Sequence, residues 1–239
     1  MEDLDVARIA EYLHVTPNQV IKMADRGRLP ARKVGGTWHF SEAEIHHWLE
    51  ERIGASDSLQ LDKVQQVLDR VSPAAVDRPI AQLCEVDTIA VPLNARTRGS
   101  VIRSMSELAT KSGLMWDAAA MGEAVNAREQ MHPTALDCGV ALLHPRRPQT
   151  SILADSVIAL GICPAAIPFA DRGQLTDVFF LICSFDDAIH LRILAKLSRM
   201  VVEPSFLAAL RQCQTAGEAW GCLQDCEQRV DEAIASHGS

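Results

Sequence analysis

From about Ile80 to the C-terminus, short continuous apolar runs alternate with segments whose apolar residues recur every three or four positions. GVALL, SVIALGIC and DVFFLIC have strand length and read as strands, SVIALGIC and DVFFLIC as buried ones. Between and after them lie RGSVIRSMSELATKSG, DAAAMGEAVNAREQM and HLRILAKLSRMV, which read as amphipathic helices, and AGEAWGCLQDCEQRVDEAI closes the chain. DTIAVPL reads as a further strand. A chain that mixes the two periods buries both kinds of apolar surface by stacking helices on a sheet. The expectation is a layered α/β domain of about 150 residues.

At 239 residues the chain exceeds an ordinary single domain, so a second, smaller unit is expected. Hydrophobic residues make up 48%, enough for a packed core. The net charge of −8 argues against coating nucleic acid or anionic membrane by bulk electrostatics, and leaves room for a local basic patch. No charged segment followed by an apolar run opens the sequence, and no stretch reaches the roughly 18 apolar residues of a membrane span. Seven cysteines form no framework: Cys84, Cys163 and Cys183 sit in apolar surroundings, while Cys222 and Cys226 lack a second ligand pair at zinc spacing. A reduced, cytoplasmic protein without membrane insertion is the plain reading.

Residues 1–53 form the smaller unit. DVARIAEYL has helical spacing, and Thr16 caps a second helix with Pro17 in its first turn and Gly27 at its end. ARKVGGTWHF alternates about Gly35 and Gly36 as a hairpin does. Ser41 with Glu44 makes a capping box for a helix carrying Ile45, Trp48 and Leu49. A linker with a short helix occupies residues 54–79. There Leu61, Val64, Leu68 and Val71 repeat over two heptads, which fits either a brief dimer seam or a helix packed on a neighbour.

Helix, tight turn, helix, hairpin, helix is the plan of a winged helix-turn-helix. The residues IAEYLHVTPNQVIKMADRGRLPARKVGGTWHFSEAEIHHWL resemble the excisionase and MerR-type DNA-binding family. The resemblance implies a second helix in the major groove of double-stranded DNA, with Asn18 and Gln19 able to meet adenine edges. Lys22, Arg26, Arg28, Arg32 and Lys33 would meet phosphates. The unit carries seven Lys or Arg against nine Asp or Glu, so its non-specific affinity should be low. His39 stands where that family commonly has an arginine after the wing tryptophan. One unit reads few base pairs, so useful specificity calls for a homodimer. The alternative is a protein-docking module. Trp38 and Trp48 are expected in the core.

In the larger domain His144 stands in the stretch TALDCGVALLHPRR, with Arg128 upstream and His190 downstream. An imidazole flanked by a guanidinium and a second imidazole can hold a transferred phosphoryl group. The unperturbed ring, with a pKa of about 6.5, is mostly neutral and nucleophilic at pH 7. Phosphoryl transfer demands alignment and charge neutralisation, and a guanidinium grips phosphate through two bonds. From IAQLCEVDTIAVPLNART onward the chain resembles the enzyme IIA component (type 2) of the fructose, mannitol and nitrogen-regulatory branch of the bacterial phosphotransferase system. The markers are AREQMHPTALDCGVALLH, ILADSVIALGICPAAIPFADRGQLTDVFFLI and HLRILAKLSRM. The resemblance implies an α/β/α domain with a mixed sheet over residues 80–235. It also implies phosphoryl acceptance on His144 from HPr or its nitrogen-branch counterpart. Arg128 and His190 would be active-site partners, and Thr134 would hold the hydroxyl position before the turn.

The sequence departs from the family pattern in three places. Leu143 replaces the usual Pro, Asp137 stands where the first Gly is expected and brings a negative charge, and Arg146 and Arg147 follow the histidine. No third ligand accompanies His144 and His190 at motif spacing, so neither metal nor cofactor is expected. His14, His46, His47, His132 and His237 read as solvent-facing or capping, and Asp186 and Asp187 as the start of the helix bearing His190. The pairing of units points to a phosphohistidine carrier coupled to DNA binding. The alternatives are a relay to a sugar-specific IIB component, with the head as docking module, and a scaffold that never turns over phosphate.

Overall fold

The computed structural model describes residues 3–13, 15–41, 44, 45, 48, 78–169 and 175–237. The Leu61–Val71 repeat, His14, His46, His47, Leu49 and most of the helix expected after Ser41 lie outside these residues. The chain divides into two compact units, Met1–Val76 and Asp77–Ser239.

In the first unit α1 (Val6–Tyr12) and α2 (Pro17–Asp25) precede a hairpin of β2 (Arg32–Val34) and β3 (Thr37–Ser41). Gly35 and Gly36, at φ +58° and +86°, supply the two left-handed residues that a two-residue hairpin turn requires. A short strand not foreseen in the sequence, β1 (Asp3–Leu4), adds to the other edge of β3, giving the order β1-β3-β2. Ile9, Val20, Phe40 and Ile45 are fully buried together in this small core. Trp38 and Trp48 are only half-buried. The indole N–H of Trp48 donates to the carbonyl of Arg28 at 2.8 Å, and Lys33 Nζ sits 5.1 Å from the Trp38 ring centroid.

The second unit runs α3 (Ile80–Leu83), β4 (Ile89–Ala90), α4 (Arg98–Ala109), α5 (Ala118–Met131), β5 (Val140–Leu143), β6 (Val157–Pro168), β7 (Leu175–Cys183), α6 (Asp187–Val202), α7 (Pro204–Leu210) and α8 (Ala216–His237). Its sheet has the order β4-β6-β7-β5, mixed as expected: β4 parallel to β6, β6 antiparallel to β7, β7 parallel to β5. Ala141, Leu143, Val157, Ala159, Phe179 and Leu181 point from one face into the core that α4 and α5 share. α3, α6 and α8 pack with β6, β7 and β4 respectively. Covering both faces explains why β5, and β7 from Val178 onward, read as unbroken apolar runs.

Two prolines reshape the expected strands. Pro92 has no N–H for the ladder, so DTIAVPL keeps only β4, and the N–H of Leu93 makes a single bond to the Ile162 carbonyl at 2.7 Å. Pro164 lies where the β6–β7 register shifts between Ile162 and Ile167. A third proline, Pro204, opens α7, a helix absent from the sequence-based expectations.

Gly139 ends the turn before β5 at φ +85°, and a Cβ there would lie 2.8 Å from Arg211 Nη2. That guanidinium grips Asp177 at 2.7 and 2.8 Å and donates to the Cys138 carbonyl at 2.8 Å. Gly139→Ala is therefore expected to cost at least about 1–2 kcal/mol from the left-handed backbone alone. Chemical denaturation against wild type measures it, and an unchanged midpoint would show that the turn relaxes freely.

Candidate functional site

β5 and β7 run parallel, so their C-terminal ends meet at one end of the sheet. His144 follows β5 directly. β7 leads through Ser184 and Phe185 to Asp186, whose carboxylate accepts the N–H of Ile189 at 2.8 Å and caps α6. His190 stands in the first turn of that helix. The two rings lie 4.8 Å apart between centroids, tilted by 54°.

Nδ1 of His144 lies 2.8 Å from the Leu142 carbonyl, which can only accept. Nδ1 therefore carries the proton, and the lone pair of the neutral ring is on Nε2. The ring is 3% exposed and His190 is 6% exposed.

Arg128 occupies the last turn of α5 and is 5% exposed. Its Nη1 donates to the carbonyl of His132 at 2.7 Å, while its Nε has no acceptor among the described residues. A buried guanidinium with an unmet donor suits an anion. Thr134 is differently engaged. Its hydroxyl and N–H both donate to the carboxylate of Glu129, and its carbonyl accepts the N–H of Leu142 at 3.3 Å. Its hydroxyl is thus committed to the support of β5.

Asp137 lies in the turn from Leu136 to Gly139, before β5. The four residues of the strand separate that turn from His144, about 13 Å at an ordinary strand rise. Its backbone therefore stands at the opposite end of β5 from His144. Arg146 and Arg147 are exposed immediately after His144. No group of three His, Cys, Asp or Glu among the described residues is placed to hold a metal ion.

Glu129, beside Arg128 in the sequence, went unremarked there. It is 1% exposed and joins Thr134 to Arg98, whose Nη2 donates to the Glu129 carbonyl and lies 3.5 Å from the carboxylate. Burial pushes the Glu129 carboxyl upward, opposed by the Thr134 bonds and by the charges of Arg98 and Arg128. A raised folded value means that the proton is held more tightly folded than unfolded. Its contribution is complete below the unfolded value of about 4.3 and is lost as pH rises through the folded one. In urea titrations, Glu129→Gln should therefore gain on wild type as pH rises above about 4.3. A difference independent of pH would remove this account.

On the first unit Asn18, Gln19, Lys22, Arg26, Arg28, Arg32 and Lys33 are all exposed. Gln19 is less available than its position suggests, because its side-chain carbonyl accepts the N–H of Thr16 at 2.8 Å in a capping box.

Residues 82–226, more than half of the chain, match the family described as phosphoenolpyruvate-dependent sugar phosphotransferase system, EIIA 2. The chain belongs to that family. Residues 4–53 match a helix-turn-helix domain. The nitrogen regulatory proteins of Escherichia coli (strain K12) and Shigella flexneri are each 25% identical over 142 residues, covering 59% of this chain and 86% of theirs. The fold is that of nitrogen regulatory protein IIA-Ntr from Neisseria meningitidis, with a TM-score of 0.54 and 20% identity over 60% of this chain and 98% of that one. IIA mannitol from E. coli gives 0.52 and 18%, over 58% and 97%. Membership of the EIIA type 2 family accounts for the mixed sheet and the paired helical layers. No helix among the described residues is long and apolar enough to cross a membrane.

Proposed function

We propose that the second unit is a phosphohistidine carrier. His144 Nε2 accepts a phosphoryl group from an HPr-like phosphocarrier protein, Arg128 neutralises the arriving charge, and His190 donates a hydrogen bond to it. The observation that carries this reading is the His144 ring itself. Leu142 holds its Nδ1–H, so the nucleophilic lone pair is on Nε2, with a second imidazole 4.8 Å away. The acceptor is a IIB component or a regulatory target protein. Escherichia coli enzyme IIA mannitol, which shares the fold with a TM-score of 0.51, has been solved with phosphorylated enzyme IIB mannitol. Seven free cysteines fit a reducing cytoplasm.

The first unit couples this carrier to double-stranded DNA, read by a homodimer through Asn18 and the exposed basic residues. Added negative charge on His144 alters that coupling. Incubation with phosphoenolpyruvate, enzyme I and an HPr-type carrier should add the mass of one phosphoryl group. A gel shift at low salt against DNA upstream of the gene should show binding, weakened by Arg32→Glu. A chain that ignores DNA at low salt is instead a docking module.

The burial of His144 favours a second reading, in which the domain never turns over phosphate and serves as a scaffold. No mass gain with any carrier decides for it.

A further inference from the structure

Ser184 belongs to no expectation drawn from the sequence, yet it touches a site histidine. Its Oγ lies 3.1 Å from Nδ1 of His190. Both residues are buried, at 2% and 6% exposure. The next residue is pinned as well, because the N–H of Phe185 donates to Ser156 Oγ at 2.9 Å, at the start of β6. Ring nitrogen Nδ1 is the one hydrogen-bond partner of the Ser184 hydroxyl among the described residues. A buried O–H left without an acceptor is costly, so the hydroxyl proton goes to the nitrogen in reach. Nδ1 then bears the lone pair, and the proton of the neutral ring is on Nε2, the nitrogen turned away from Ser184.

We propose that Ser184 is a positioning residue that holds neutral His190 in the Nε2–H form, so that this proton serves the phosphoryl group carried on His144. The last step rests on the carrier reading; the assignment of the proton does not. The two rings then play opposite parts. His144 has its proton tied to Leu142 and offers the lone pair of Nε2, whereas His190 has its lone pair tied to Ser184 and offers an N–H. In the transfer, a bond forms from His144 Nε2 to phosphorus as the bond to the donor's leaving nitrogen breaks, and that electron pair departs with the donor. His190 keeps its proton and shares it with a phosphoryl oxygen.

Long-range proton–nitrogen spectra of the full chain, with its histidines labelled, read the tautomer directly. Wild type should show His190 protonated at Nε2. Ser184→Ala should lose that preference, and Ser184→Thr, which keeps the hydroxyl, should retain it. Phosphoryl uptake from phosphoramidate, which needs no partner protein, should slow about five- to tenfold in the Ala variant, the worth of one hydrogen bond, and stay near wild type in the Thr variant. An Nδ1–H ring in wild type, or one tautomer in all three chains, overturns the proposal. Spectra as expected with no uptake by any chain would instead sink the carrier reading, so the two failures are told apart.

Discussion

Replacing His144 by alanine is expected to abolish phosphoryl uptake by the whole chain, from carrier protein and from phosphoramidate alike. The reason is the division of labour between the two buried rings. His144 presents the lone pair of Nε2 because its other nitrogen donates to Leu142. His190 cannot take over, since its lone pair faces the Ser184 hydroxyl rather than an incoming donor. Removing a nucleophile that acts as part of a unit commonly costs several orders of magnitude, on the order of 10⁴ or more. Intact-mass spectrometry with acid-labile phosphate detection measures it, and circular dichroism confirms that the variant folds. Undiminished labelling of His144→Ala would place the acceptor elsewhere.

The next largest effect is expected at Arg128. Its guanidinium already caps α5 through His132, and its Nε has no acceptor among the described residues; on the carrier reading that donor meets the charge arriving on His144. Deleting one donor aimed at developing charge in a water-poor site typically costs about 10²–10³ in rate, the range expected for Arg128→Ala. Arg128→Lys should recover only part of that. An ammonium on a flexible stem cannot hold the His132 carbonyl and an anion in the fixed geometry of a planar fork. Initial rates of phosphoryl uptake separate the three chains. Equal rates for wild type and Ala would mean that this side chain serves α5 alone.

Much of the fold was legible because its elements announce themselves locally. The runs VALL and, after Asp177, VFFLIC are apolar at every position, as strands covered on both faces are, and the helix of His190 has an apolar stripe with an acidic cap. The exceptions involve backbone donors. Pro92 shortened β4, Pro164 broke the β6 register, and Pro204 began a helix that no apolar period signalled. His144, His190 and Arg128 are candidates from residue types at spacings of a recognised family, and the structure brings the two imidazole rings to 4.8 Å.

Residue order alone determined the two kinds of unit, the helical and strand periods, and a histidine at the end of an apolar strand, since each depends on neighbours within a few positions. The tertiary structure alone decided what those side chains face. Two parallel strands, with Leu143 paired to Leu181 far along the chain, end side by side, which sets His190 against His144. The folded second unit also commits Thr134 to Glu129 and leaves Asp137 at the far end of β5 from His144. A proton's place on an imidazole depends on which donor or acceptor lies within about 3 Å, and the folded chain brings the Leu142 carbonyl to His144 and the Ser184 hydroxyl to His190.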